Sequence, residues 1–465
     1  MKKKILSMLL SMVLTVACFT GCGSNPSSGG ETGGAASTET PKNPEDMYTV
    51  TMAVIGNDQE DMDLVEAEMN KILAEKVGAQ IDVITLGWGV YQQQLQLMLS
   101  GAEKLDLVPI MYNNVSTYVN SGQVLDMSDL IDQYGVNMKA ALGEDILKIA
   151  NMNGYVYGVP VEKEWYADSC LVMRKDILDK YNLDVSNVKS LADCAPIFET
   201  IHENEPDMKI IVGAKDSLIG NVYFADVLSD RFGVLDNGGA DTTIVNYYET
   251  DNYKNLAATV HDYYEKGYID KDMATSTDAG TTTLKAGNAF CFATPYKPGV
   301  AEQESLNTGY ELVAVRINPT PAFCYTNAVA AITWGIGQNC ENPEMTMKVL
   351  DYMYGDPELM NLFNWGIEGV HYVVKDAEND VIGFPDGVDA SNAKYNLNMG
   401  WELPNQYKIH VWEGSSRKIM DAQKEMNATA NKSKALGFMF DSTSVSNEIA
   451  APVSYTHLRA HETSL

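Results

Sequence analysis

The chain has 465 residues, 45% of them hydrophobic, and a formal net charge of −30 at neutral pH. That length supports two or three domain-sized cores. The acidic balance argues against nucleic acid or an anionic membrane surface as partner, and favours a repulsive, soluble surface.

The chain starts MKKK and continues with the apolar run ILSMLLSMVLTVACF, a charged start before a segment too short for a stable transmembrane helix. This predicts a secretory signal over residues 1–21. Thr20-Gly21-Cys22 supplies the small residues that cleavage needs and resembles a bacterial lipobox, which implies a lipidated Cys22 as the mature N-terminus. Phe19 departs from the aliphatic residue usual three positions before that cysteine, and Cys18 after Val16-Ala17 is a second candidate. The alternative is an ordinary secreted protein with Cys22 incidental. Residues 22–46 are dominated by Gly, Ser, Thr, Pro and Glu, which cannot bury enough surface to fold. They predict a flexible tether with a reach of about 25–29 Å.

Order is expected from Tyr48. YTVTMAVIG alternates as a strand, and DMDLVEAEMNKILAEKVG places Leu64, Met69, Ile72 and Leu73 near helical spacing, with Gly78 as the stop. AQIDVITLG, VYQQQLQLMLSG and DLVPIM continue the pattern as strand, helix and strand. A β-α-β-α-β series predicts a parallel sheet with helices on its faces, where ligands bind outside the carboxyl ends of the strands. The loops of interest are therefore Gly56-Asn57-Asp58, Gly87-Trp88-Gly89-Val90-Tyr91 and Tyr112-Asn113-Asn114. The middle of the chain, about 165–310, repeats the mixed pattern with more helix. TNAVAAITWGIG then reads as an apolar returning strand with Trp334 in the core, and PEMTMKVLDYMYG and PELMNLFNWG as two helices opened by proline.

Outside the leader and Cys22, five cysteines (Cys170, Cys194, Cys291, Cys324, Cys340) show neither CxxC nor Cys/His ligand spacing. Buried free thiols are expected, and no metal or cofactor. No GxSxG, P-loop or HExxH occurs. Residues 453–463, VSYTHLRAHET, resemble a translated sequencing adapter and are left out of fold reasoning as a non-native tail (453–465). The natural chain is expected to continue past Pro452.

Four stretches carry a family resemblance: VNSGQVLDMSDLIDQYG (119–135), NGYVYGVPVEKEW (153–165) with LVMRKDILDKYNLD (171–184), LKAGNAFCFATPYKPG (284–299) and YGDPELMNLFNWGIEGVHYV (354–373). In this order they resemble family 1 extracellular solute-binding proteins of ABC importers. The last is similar to a Firmicute lipoprotein subgroup with a C-terminal domain of unknown function. The resemblance implies a type II periplasmic-binding-protein fold of two α/β lobes, each a mostly parallel sheet flanked by helices, joined by hinge strands. Carried onto this chain, the first lobe is 47–160 plus 318–365 and the second 161–317 plus 366–452. Gly158-Val159-Pro160 suits a hinge, or equally the ordinary start of a strand.

The resemblance also implies a carbohydrate ligand, an oligosaccharide by preference, ABC permease transmembrane subunits as partners, a membrane anchor through Cys22, a cell-surface location on the outer face of the cytoplasmic membrane, and a monomer. Sugar recognition needs flat aromatic faces and amide or carboxylate groups. Trp88 and Tyr91 follow the second strand; each could instead cap the sheet, but glycines on both sides of Trp88 favour its exposure. Asn57, Asp58, Tyr112, Asn113 and Asn114 are the polar and aromatic candidates of the neighbouring loops, although Asn also favours turns for its own backbone reasons. Tyr296 aligns with a family aromatic that stacks on sugar, Tyr223 is a fainter match, Trp165 and Tyr166 are placed to line the cleft floor, and Trp365 and Glu368 end a helix near the lobe boundary. Glu162 and Glu164 stand i and i+2, roughly 6.5–7 Å apart on a strand, which overlaps glycosidase carboxylate separations. A secreted glycoside hydrolase using that pair is thus the alternative to a non-enzymatic binding protein. A peptide-binding or sensory member of the same fold is another.

Overall fold

A computed structural model describes residues 46–448, apart from 102, 215–217, 219–223, 229–232, 277, 319, 391, 442 and 446. The expected signal, lipobox, tether and adapter-like tail, and Tyr223, lie outside the described residues.

The chain begins β1 (Tyr48–Ile55), α1 (Met62–Lys76), β2 (Ala79–Leu86), α2 (Tyr91–Ser100), β3 (Leu107–Met111), and later adds β4 (Val159–Pro160). It leaves this first lobe through β5 (Tyr166–Ala167) and builds β6 (Ser169–Arg174), β7 (Lys209–Ile211), β8 (Ala289–Pro295) and β9 (Leu312–Arg316). It returns through β10 (Phe323–Cys324) into β11 (Ile332–Ile336), followed by α3 (Pro343–Gly355), α4 (Pro357–Trp365), and finally α5 (Arg417–Thr429) and β12 (Asn431–Lys432).

The first sheet has the order β2-β1-β3-β11-β4, with β1 parallel to β2 and β3, and β11 antiparallel to β3 and β4. The second has the order β9-β6-β8-β7, in which only β8 and β7 run parallel. Two α/β lobes are therefore present as expected, but their sheets are mixed rather than mostly parallel. In the first sheet the reason is topological: β11 comes back from the other lobe and runs between β3 and β4 in the opposite direction to both.

Side-chain alternation builds a core on both faces of each sheet. Val50, Met52 and Val54 of β1 join one cluster, while Ala53 joins the cluster on the opposite face. In β6, Leu171 and Met173 face one core and Cys170 and Val172 the other. In α1 the buried positions are Val65, Met69 and Leu73, spaced by four; Leu64, expected inside, is exposed. Gly78 ends the helix at φ +78°, its N–H bonded to Leu73 O, the left-handed stop that a side chain disfavours. Asn342 and Asp356 cap α3 and α4 by accepting from Met345 N and Leu359 N, each just before the helix-opening proline. Trp334 is fully buried, as expected, and its indole N–H donates to Glu402 O at 2.8 Å. All five cysteines are free; four are buried and Cys340 is half-buried.

The crossing is a small sheet of its own, ordered β12-β10-β5, with two-residue strands. Gly158-Val159-Pro160 is the start of a strand: β4 pairs with β11, and a Cβ on Gly158 would lie 2.9 Å from Thr333 Oγ1. The segment 366–412, expected in the second lobe, instead buries Tyr372, Ile382, Tyr395, Leu397, Leu403 and Ile409 in the cluster that holds β1, α1 and α3. It packs on the first lobe because its apolar side chains fill the face left open beside α4.

Candidate functional site

The carboxyl edge of the first sheet gathers the three expected loops. Asn57 and Asp58 are exposed beyond β1, and Asn113 is exposed and Asn114 half-buried beyond β3. Asn114 occupies the cap position of the helix Val115–Asn120 but makes no side-chain capping bond, so its amide is not used as a helix cap. Beyond β2, Trp88 is 45% exposed. It stacks on Trp401 (5.7 Å between ring centres, 26° between planes) and meets the half-buried Tyr91 edge-on at 6.0 Å. Nothing lies within 4 Å of where a Cβ on Gly89 would stand, so the loop is open at that glycine.

Trp401 is positioned by its neighbour. Glu402 is fully buried, and its carboxyl accepts from Ile55 N at 2.7 Å, at the end of β1. Its second oxygen has no partner among the described residues. Burial pushes this carboxyl up to about 8, against the pull of the Ile55 hydrogen bond, so it is largely neutral at neutral pH. Leu397 and Met399 pack over Gly56, closing the same edge.

Next along this edge is a cavity of about 500 Å³ between the lobes. Ala331, just before β11, lines it and accepts from Tyr112 N, which places the cavity against the end of β3. Its other walls are Tyr166 and Asp168 around β5, Thr294 to Lys297 at the end of β8, and Tyr325 and Asn327. Tyr166 is 8% exposed and its hydroxyl has no partner among the described residues; burial foremost, then the Glu164 charge, hold that hydroxyl well above the usual tyrosine range. Glu164 lies 3.5 Å from Lys297 Nζ and accepts from Gln406 at 3.1 Å. Burial opposes its charge, but the Lys163 and Lys297 ammonium groups outweigh it and hold the carboxyl at about 2. Asp168 is pushed up by burial and held down by Arg316, 2.5 Å away. Tyr112 is buried and donates to Leu228 O across the lobes at 3.3 Å.

Other expected residues stand elsewhere. Glu162 faces Asn405, Lys408 and Lys424; burial raises its carboxyl and those partners lower it, and it does not line the cavity with Glu164. The pair is thus not gathered at one cavity, because residues 161–165 form no regular strand that would put both on one face. Trp165 is buried in the first-lobe core, its indole N–H on Val161 O at 2.9 Å. Trp365 is buried against Trp412, and Glu368 lines a separate cavity on the outer side of α1 and α4 with Tyr372 and His410. Trp401, Glu402, Asp168, Lys297 and Tyr325 were missed by sequence reasoning. Their segments show no periodicity that would place them; only the Pro-rich turn at Lys297 marks a loop.

Two lobes, a three-stranded crossing and a cleft edged by aromatic and amide side chains are the architecture of a solute-binding protein. Residues 56–359 match the family described as bacterial extracellular solute-binding protein, and the chain belongs to that family. A carbohydrate ABC transporter substrate-binding protein of Streptococcus pneumoniae is 29% identical over 409 residues, 87% of this chain and 81% of the relative. The crystal structure of the N-glycan transport solute binding protein NgtS from the same organism superposes with a TM-score of 0.75 at 26% identity, covering 87% of this chain and 88% of that one. NgtS in complex with Man5GlcNAc gives 0.66 at 27% identity, covering 87% of each chain. An extracellular solute-binding protein from Bifidobacterium longum shares the fold at 15% identity and a TM-score of 0.56, covering 86% of this chain and 84% of that one.

Proposed function

We propose that this protein captures an extracellular oligosaccharide in the cleft and delivers it to an ABC importer permease, making and breaking no bond. The observation that carries this reading is the row of sugar-suited groups along one sheet edge. The row runs from the Trp88–Trp401 stack beyond β2, past Asn57 and Asn113, to Tyr166 at the cavity beside β11. Three strand spacings separate β2 from β11, about 14 Å, which suits a chain of several sugars better than one. Ring faces take the C–H patches of sugars, while the amides take their hydroxyls. The relatives that transport carbohydrate and N-glycan support the ligand class.

The first lobe in this reading is 47–165 with 326–412 and the second is 168–317, joined by β5, β10 and, after α5, β12. The protein is a monomer held by lipid on Cys22 at the outer face of the cytoplasmic membrane; one acyl chain anchors only marginally, so more than one is expected there. A Cys22→Ser variant should appear in the medium, and retention on membranes would count against the anchor.

Calorimetric titration with Man1GlcNAc and Man5GlcNAc tests the ligand class. Trp88→Ala should weaken binding by about tenfold, the loss of one desolvated ring contact. Unchanged affinity removes Trp88 from the site. Incubated glycan should be recovered intact; hydrolysis that is lost in Glu164→Gln would establish the glycosidase reading instead.

A further inference from the structure

A second chamber of about 810 Å³ lies against the second lobe, on the far side of Tyr296 from the interlobe cavity. Tyr296 lines both spaces. The ion pair next to it is divided between them: Asp168 lines the interlobe cavity and Arg316 the second chamber. Tyr296 N donates to Asp168 O at 3.0 Å, and the Arg316 guanidinium sits 5.4 Å from the Tyr296 ring centre. The partition is therefore one aromatic ring and one ion pair thick, fixed by a backbone hydrogen bond.

The chamber's lining has the chemistry of a neutral polyhydroxyl ligand. The exposed Asn431 offers an amide and Tyr296 a ring face, Pro321 and Met426 add short apolar faces, and Ser190, Asn318 and Thr320 hold one another and Asp193 as a polar wall. Its charges are largely matched internally. Arg316 is paired with Asp168, and Asp193 is engaged by Lys189 N, Ser190 N and the Ser190 hydroxyl. Pockets for drug-sized ligands measure about 300–1,000 Å³. The interlobe cavity alone is in that range, so the second chamber is room for a separate part of a larger ligand.

We infer that the second chamber is a subsite for the distal sugars of a neutral oligosaccharide whose first units occupy the interlobe cavity, with the glycan straddling Tyr296. This rests on the carbohydrate reading above and adds a consequence that reading does not require: the growth of affinity with glycan size must depend on the second chamber. Thr429 lines the chamber from the last turn of α5, is exposed, and bonds Glu425 O within its own helix, so a large side chain there fills the space with little cost to the fold.

Titration of the full chain with Man1GlcNAc and Man5GlcNAc, repeated on Thr429→Trp, is the test. The natural chain should bind Man5GlcNAc about tenfold or more tighter than Man1GlcNAc, and Thr429→Trp should keep Man1GlcNAc affinity within about twofold while losing that gain. Retained Man1GlcNAc binding is also the check on folding. Equal affinities for the two glycans in the natural chain, or a full gain in the variant, overturns the inference and leaves the carbohydrate reading standing. Loss of both glycans in a variant with an unchanged melting temperature also overturns it, since the two chambers would then not be separate subsites. If the natural chain binds neither glycan, the carbohydrate reading falls and this inference with it.

Discussion

Glu402 shows how one side chain can set both stability and recognition. Its carboxyl ties the end of β1 to the loop that carries Trp401, and burial keeps it protonated up to about pH 8. A carboxyl whose folded pKa stands above its ordinary value of 4.5 holds its proton more tightly when native. Its contribution is therefore full below about pH 4.5 and is lost as pH rises towards 8, with a slope of about 1.4 kcal/mol per pH unit. Glu402→Gln keeps an acceptor for Ile55 N and cannot ionise. The stability difference between variant and natural chain should move in the variant's favour from pH 5 to pH 8, measured by urea midpoints. A difference that stays constant with pH would mean that Glu402 does not titrate in this range. Trp401 gives a companion test: Trp401→Ala should leave Trp88 unstacked and lower glycan affinity about as much as Trp88→Ala does, roughly tenfold.

Short elements depend on their ends, and α4 is the clearest case. Asp356 accepts from Leu359 N at 2.7 Å and from the Tyr352 hydroxyl at 2.8 Å, before Pro357 at the first helical position. Asp356→Ala should cost about 1 kcal/mol of stability, while Asp356→Asn, which keeps a side-chain acceptor, should recover most of it. Equal losses in both would show that the cap contributes little. Elements of this kind were legible in the sequence, because proline, a capping residue and helical spacing agree locally. The β-α-β-α-β start was legible for the same reason, through alternation in β1 and apolar spacing in α1. The segment 366–412 was not. NLNMGWELPNQYKIHVW has neither period, and its place is set by what Leu397, Leu403 and Ile409 find on the first lobe. Trp88, Tyr166 and Tyr296 could be picked out because they border turns or strand ends. Trp165 and Trp365 have similar surroundings in sequence, yet their indoles are taken up by Val161 O and His410 O in the interior. A one-dimensional pattern shows where the chain turns and leaves open which way an irregular segment faces.

At the scale of the whole molecule, each lobe holds its own core on both faces of its sheet, and the lobes are joined by three two-residue strands. Rigid bodies on a small crossing can rotate without repacking either interior. Among the described residues, Tyr112 bonded to Leu228 O and Glu164 paired with Lys297 reach from the first lobe to the second, while Ser433 bonded to Asp226 and Gln423 bonded to Pro298 O tie the crossing to the second lobe. A ligand shifts such an equilibrium only by the difference in its affinity for the open and closed forms. A glycan that touches Trp88 on one lobe and Tyr296 on the other has that difference built in, because both rings meet it only when the lobes approach. Saturating Man5GlcNAc should therefore contract the radius of gyration in small-angle scattering. Trp88→Ala at glycan concentrations that still saturate it should contract less, since one side of the clasp is missing. Bound glycan with unchanged scattering would remove closure from the mechanism and leave a preformed cleft.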